Sequence, residues 1–164
     1  MVENKEIERL QGEILQLKQQ LKEQEQLIND ISVPIIPSII PETILVPITG
    51  KLSMTRLELI IDKIIKESYR LSVSEDISSV IIDFTAISKK EIDEIDTFGF
   101  YIGNLIDALG LMGKRALFVG FNPDVTQKLI QSGLSVTKQL NSFATFKTAL
   151  QFLMKEKGMG FEMM

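Results

Sequence analysis

The amino-acid sequence predicts an α/β fold: a four- to five-stranded, mostly parallel sheet with packed helices, preceded by an N-terminal coiled-coil helix. Three observations carry that expectation. Residues 1–31 differ in kind from the rest, with apolar residues alternating at spacings of three and four. From Thr43 onward, short apolar runs alternate with helix-like patterns, the order that gives parallel sheets through right-handed crossovers. The run Val80-Ile81-Ile82-Asp83-Phe84 is apolar on both faces, which suits a strand covered by helices on either side.

The first segment has a heptad seam. Ile7, Ile14, Leu21 and Ile28 take the a positions, and Leu10, Leu17, Gln24 and Ile31 take d. β-Branched residues at a with leucine at d favour a parallel two-stranded coil, in which Glu13 at g would pair with Lys18 at the following e. The alternative is a single amphipathic helix lying on the domain, but a seam this narrow suits a coil better.

Residues 32–42 form a proline-rich linker, because Pro34, Pro37 and Pro41 cannot continue a helix. Val33–Ile36 is a candidate edge strand there. Thr43–Ile48 is the next strand, where Pro47 implies an edge or a bulge, and Gly50 ends it. Ser53 is expected to cap a helix carrying Leu57, Ile60, Ile61, Ile64 and Ile65 on one face. The central strand ending at Phe84 follows, then a polar loop over 86–94. Phe98, Tyr101, Ile102, Leu105, Ile106 and Leu109 have helical spacing, with an end near Gly110 to Gly113. Arg115–Gly120 is another strand. Asn122-Pro123 supplies a cap and a first-position proline for a helix closed by Gly133. A final short strand is expected within Leu134–Leu140, followed by a last helix capped by Ser142. The domain is placed at 43–155, with a disordered tail over 156–164.

Composition excludes several chemistries. The chain has 164 residues, a net charge of −4 and a pI near 5.0, with no basic stripe of the kind that binds nucleic acid. It has no cysteine for disulfides or thiol chemistry, and no histidine, the commonest metal ligand and general base. The reading is therefore no metal and no cofactor. The charged, glutamine-rich N-terminus is unlike a signal peptide, and no apolar run has the length of a membrane span. A soluble cytoplasmic protein, binding neither nucleic acid nor membrane, is the expectation.

One surface carries candidate chemistry. Thr97 falls at or near a helix N-terminus, where free backbone N–H groups and the helix dipole would receive a phosphate. Asp83 closes the preceding strand, as does the acceptor of phosphoacceptor receivers, but the earlier strand ends in Pro47-Ile48-Thr49-Gly50-Lys51 without the acidic pair that Mg²⁺ needs. No glycine-rich phosphate loop follows any strand, and no catalytic carboxylate pair stands out. Asp93, Glu94 and Asp96 read as a solvated loop edge, and Thr85 and Ser88 as turn formers. For Thr97 itself the plainer alternative is a helix cap with no regulatory role.

Leu45-Val46-Pro47-Ile48-Thr49-Gly50, the strand ending Ile82-Asp83, Ile95-Asp96-Thr97, Leu109-Gly110-Leu111-Met112-Gly113, Val119-Gly120-Phe121-Asn122-Pro123-Asp124 and Ser142-Phe143-Ala144-Thr145-Phe146-Lys147 together resemble a STAS domain. STAS domains are the domains of anti-anti-sigma factors, and the likeness is greatest to the RsbR/RsbS-type proteins of the bacterial stressosome. The resemblance implies a protein without catalytic activity, switched by a serine/threonine kinase and binding other STAS proteins as a homodimer or larger oligomer. It places the phosphoacceptor hydroxyl on Thr97 behind Asp96, and the strand-end aspartate on Asp83 as a loop organiser. Asp83, Asp96, Thr97 and Asn122 form the implied partner-binding surface. Val119 stands where RsbR-type members carry a second threonine, Ala86 stands where glycine is common, and the Asp83–Thr97 connection is several residues longer than usual. The function implied is regulation of a stress-response partner-switching pathway. A purely structural scaffold subunit and a small-ligand or nucleotide-binding module are the alternatives.

Overall fold

A computed structural model describes residues 2–74, 76–131 and 141–159. The chain separates into two compact units, Met1–Ser32 and Val33–Met164. The first is one helix, α1 (Val2–Ser32), 31 residues long, or about 46 Å. Its seam residues Ile7, Leu10, Ile14, Leu17 and Leu21 are all exposed, by 45–59%. The side chains of Ile28 and Ile31 lie outside the described set.

The second unit contains β1 (Ile36–Pro37), β2 (Thr43–Pro47), α2 (Met54–Ser74), β3 (Ser79–Asp83), α3 (Ile95–Leu111), β4 (Arg115–Val119), α4 (Pro123–Gln131), β5 (Ser142–Phe143) and α5 (Phe146–Glu156). The five strands lie in the order β1-β2-β3-β4-β5. β1 runs antiparallel to β2, and every other pairing is parallel.

Strand alternation divides the core. Ile44, Val46, Val80, Ile82 and Phe118 face the larger cluster, where α2 and α3 contribute Leu57, Ile60, Ile64, Phe98, Ile102 and Leu105. Ile81, Leu117 and Val119 face the opposite side, where α5 brings Ala149, Leu153 and Met154. That two-sided burial is what the apolar run at 80–84 predicts. At the strand ends, Pro47 is aligned with Asp83, while β1 pairs only with Ile44 and Leu45. Its missing N–H therefore falls where the outer flank of β2 has no strand partner.

Three boundaries differ from the sequence reading. The edge strand begins at Ile36 rather than Val33, whose side chain is buried in the larger cluster. Ser142 does not cap the last helix: Ser142 and Phe143 pair with Phe118 and Val119 as β5. Thr145 is the cap instead, accepting from the Thr148 N–H at 3.2 Å. The strand expected within Leu134–Leu140 and the cap at Gly133 lie outside the described residues. Residues 157–159, read as tail, close α5. Gly158 has φ +67°, its N–H reaches the Lys155 carbonyl at 3.3 Å, and the Met159 N–H reaches that of Met154 at 2.8 Å.

Candidate functional site

The C-terminal ends of the parallel strands converge on one edge of the sheet, and three turns there hold the predicted residues. Asp83 ends β3 half-buried and accepts from the Thr85 N–H at 2.8 Å and from the Thr85 hydroxyl. This Asx-type turn reverses the chain as it leaves the sheet. The end of β4 passes directly beside it. Gly120 has φ +74°, and a Cβ there would lie 2.2 Å from Thr85 Oγ1 and 2.9 Å from the Thr85 Cα and N.

The long connection from Asp83 to Thr97 is pinned along its length. Ser88 and Glu91 form a capping box around a 3₁₀ turn over Lys89–Glu91, with the Ser88 N–H donating to Glu91 Oε2 at 2.7 Å. The Ser88 hydroxyl, then its N–H, hold the Glu91 carboxyl below the usual range. Ile87 and Ile92 are buried, and a parallel bridge joins Ile92 to Leu52. Lys51 reaches Asp93 at 3.4 Å. The extra residues thus form a ledge docked on the segment that enters α2.

Glu94 is the N-cap residue of α3, and its side chain makes no capping bond. Thr97 is the third helical residue, so the cap reading of Thr97 gives way to Glu94. The Thr97 hydroxyl donates to Glu94 Oε2 at 2.9 Å, and the Phe98 N–H donates to the Glu94 carbonyl at 3.0 Å. The N–H groups of Ile95, Asp96 and Thr97 therefore begin the helix with no side-chain cap among the described residues. Thr97 is half-buried and Asp96 exposed. Asn122 caps α4, its side-chain oxygen accepting from the Asp124 N–H at 2.9 Å.

Beneath these turns the rings of Phe84, Phe98, Phe118 and Phe121 meet. Phe84 stacks on Phe121 at 5.0 Å and meets Phe98 edge-on at 5.6 Å, and Phe118 stacks on Phe121 at 5.7 Å. Three of the four rings adjoin a site residue in sequence: Phe84 follows Asp83, Phe98 follows Thr97, and Phe121 precedes Asn122. Edge-to-face and offset contacts of this kind add about 0.5–1.5 kcal/mol per pair beyond burial. The edge is consequently a rigid platform.

Comparison with known proteins decides the fold's kinship. No family model matches the chain. The RsbT co-antagonist protein RsbRB of Bacillus subtilis (strain 168) is 28% identical over 120 residues, 71% of this chain and 39% of that protein. RsbRD of the same organism is 28% identical over 119 residues, 70% of this chain and 38% of that protein. The chain thus spans about two fifths of the length of these curated relatives. Among solved structures, a serine-to-glutamate variant of RsbS from Moorella thermoacetica has a TM-score of 0.57 at 17% identity, covering 77% of this chain and 98% of that one. Unphosphorylated SpoIIAA has a TM-score of 0.54 at 18% identity, covering 79% and 99%. The second unit has the STAS fold of these solved structures, and its sequence is similar to that of RsbRB and RsbRD.

The fold places Asp83, Asp96, Thr97 and Asn122 at one edge, yet their side chains do not bond to one another. Asp83 serves Thr85, Thr97 serves Glu94, and Asn122 serves Asp124. Glu94 is the residue that sequence reasoning left among the solvated carboxylates. Its signal was the spacing Glu-x-x-Thr, the reverse of a capping box. Phe100, 60% exposed and edge-on to Tyr101 at 5.9 Å, was also missed. It lies one turn after Thr97 on the solvent side of α3. Tyr101 is half-buried against the larger cluster, and its hydroxyl donates to Glu58 of α2, which raises its pKa. Thr85 and Ser88 are turn formers, as their sequence context predicts.

Proposed function

We propose that this chain is a non-enzymatic relay in a stress-response partner-switching pathway, working by protein–protein binding and switched by phosphorylation of Thr97. The observation that carries the reading is the placement of Thr97. Its hydroxyl lies in the first turn of α3, at the sheet edge, among helix N–H groups that no side chain among the described residues caps. A phosphate there would meet those N–H groups and the positive end of the helix dipole. Kinship supports the regulatory part: RsbRB is a co-antagonist of RsbT, and SpoIIAA has been solved in phosphorylated and unphosphorylated forms. The partners proposed are a serine/threonine kinase and other STAS proteins. Asp83 and Asn122 act as organisers of the binding edge, while Asp96, Thr97 and exposed Phe100 offer contact surface.

The exposed seam of α1 adds assembly, pairing with a second copy as a parallel coil over residues 1–31. The protein's place is then the cytoplasm, as a subunit of an oligomer. Labelling by the cognate kinase, with wild type against Thr97→Ala, tests the switch. Loss of label in Thr97→Ala is expected, with partner binding largely kept. Equal labelling of both would overturn the assignment and move attention to Thr85 or Ser88. Thr97→Glu should leave the melting temperature nearly unchanged while weakening or redirecting partner binding.

A further inference from the structure

At the opposite end of the strands from Thr97 lies an open cleft of about 600 Å³, lined by Ser79, Gly113, Lys114, Arg115, Glu156 and Lys157 among others. The volume is in the range of small-molecule sites. Its cations are not equivalent. The Arg115 guanidinium is held by Glu156, with Nη1 to Oε2 at 2.9 Å and a second bond alongside. It also donates to Ser79 Oγ at 3.3 Å and lies over the Phe152 ring at 5.4 Å. Lys157 pairs with Glu42 at 3.1 Å, and Ser78 Oγ donates to the same carboxylate oxygen at 3.3 Å. Lys114 has no carboxylate among the described residues. Its side chain is buried, with the residue only 7% exposed, and Nζ donates to the Ile77 carbonyl at 2.5 Å.

An ammonium carries three N–H donors, and burying it with one acceptor leaves the rest in need of partners. Two carboxylates already serve Arg115 and Lys157, so Lys114 is the surplus positive charge of the cleft, in a chain whose net charge is −4. We propose that this cleft binds a small phosphate-bearing molecule, with Lys114 as the principal anion contact. Phosphate suits the donors still on offer. The planar fork of Arg115 is occupied by Glu156, leaving compact ammonium groups and serine hydroxyls, which meet a tetrahedral oxyanion as point donors. Glu156 lines the cleft, and Glu42 is tied to its lining through Lys157 and Ser78, so both oppose an anion. Glu156 is neutralised by the bidentate guanidinium, whereas Glu42 competes with the ligand for Lys157. The site is remote from Thr97, at the end of the domain where β3 and β4 begin.

Amide resonances of the full chain titrated with pyrophosphate test this, against acetate and chloride at matched ionic strength. Saturable shifts at Ser79, Gly113, Lys114 and Arg115 are expected with pyrophosphate and not with acetate. Lys114→Met, which keeps the buried stem, should weaken binding at least tenfold. Glu42→Gln, which frees Lys157, should tighten it several-fold, and it guards against a Lys114→Met chain that fails to fold. Thr97→Ala should change nothing. Shifts that never saturate, equal responses to acetate, unchanged affinity in folded Lys114→Met, or weaker binding in Glu42→Gln would each overturn the proposal.

Discussion

Alanine at Gly120 and alanine at Gly113 separate two costs that glycine substitutions usually mix. Both residues have left-handed backbones, with φ +74° and φ +73°. A side chain at such an angle costs about 1–2 kcal/mol. At Gly113 nothing lies within 4 Å of the added Cβ, so that is the whole expected loss. At Gly120 the Cβ would overlap Thr85 Oγ1 at 2.2 Å and the Thr85 backbone at 2.9 Å, and backbone cannot swing aside like a flexible tip. Overpacking of this kind adds about 1–3 kcal/mol. Gly120→Ala is therefore expected to lose about 2–5 kcal/mol in all. Urea unfolding of both variants, followed by near-ultraviolet dichroism, measures the difference. With a slope of about 2 kcal/mol per M, the midpoint of Gly120→Ala should fall about 0.5–1.5 M below that of Gly113→Ala. Amide exchange at Thr85 should also accelerate in Gly120→Ala, because relieving the overlap pulls Thr85 from Asp83. Equal midpoints for the two variants would refute the close approach of β4 to the Asp83 turn.

Three further outcomes follow from particular contacts. Leu17→Asp places a charge in the α1 seam and should reduce the mass measured by sedimentation, while the second unit melts as before; an unchanged mass removes the coil. Ser68 is wholly buried in α2 and its hydroxyl has no partner among the described residues, so Ser68→Ala should be neutral or stabilising by up to about 1 kcal/mol, read as a higher melting temperature. Hydrogen bonding to Arg115 holds the Glu156 carboxyl below its ordinary value. Its contribution is therefore full above the unfolded carboxylate value, about pH 4.3, and is lost as pH falls through the folded value. For a pair this exposed the amount is about 0.2–1 kcal/mol, and Glu156→Gln should lose that much less than wild type between pH 7 and pH 3 in urea titrations.

Legibility in the sequence followed the range of the interaction. The β3 run was readable because alternation alone sends Val80 and Ile82 to one cluster and Ile81 to the other. Asn122-Pro123 was readable because capping is decided within one turn. β5 was not. Ser142 and Phe143 form a strand only because Phe118 and Val119 lie beside them, and no local pattern announces a two-residue pairing. The docked loop was half legible: its polar residues predicted exposure, but Ile87 and Ile92 are buried, and Leu52, the bridge partner of Ile92, is remote in sequence. The same limit explains the site. Thr97 was found from helix spacing and family likeness, whereas Lys114 looks like any lysine ahead of a strand until the fold buries it.

The placement of Thr97 also indicates where the energy of a phosphate would go. Modification adds about −1.5 to −2 charges near neutral pH and removes the proton that the hydroxyl donates to Glu94. The uncapped start of α3 welcomes the charge by about 0.3–1 kcal/mol. Glu94 and the adjacent Asp96 repel it, each by a few tenths of a kcal/mol on an exposed helix turn, roughly the size of like-charge helix pairs. These terms nearly cancel inside the domain. The aromatic platform below is untouched, because Phe98 is wholly buried on the other side of the same turn. No comparable cancellation operates at an interface, where an unmatched charge must be stripped of water and can cost several kcal/mol. A phosphate on Thr97, as proposed, would therefore change what binds to this edge while leaving the fold as it was.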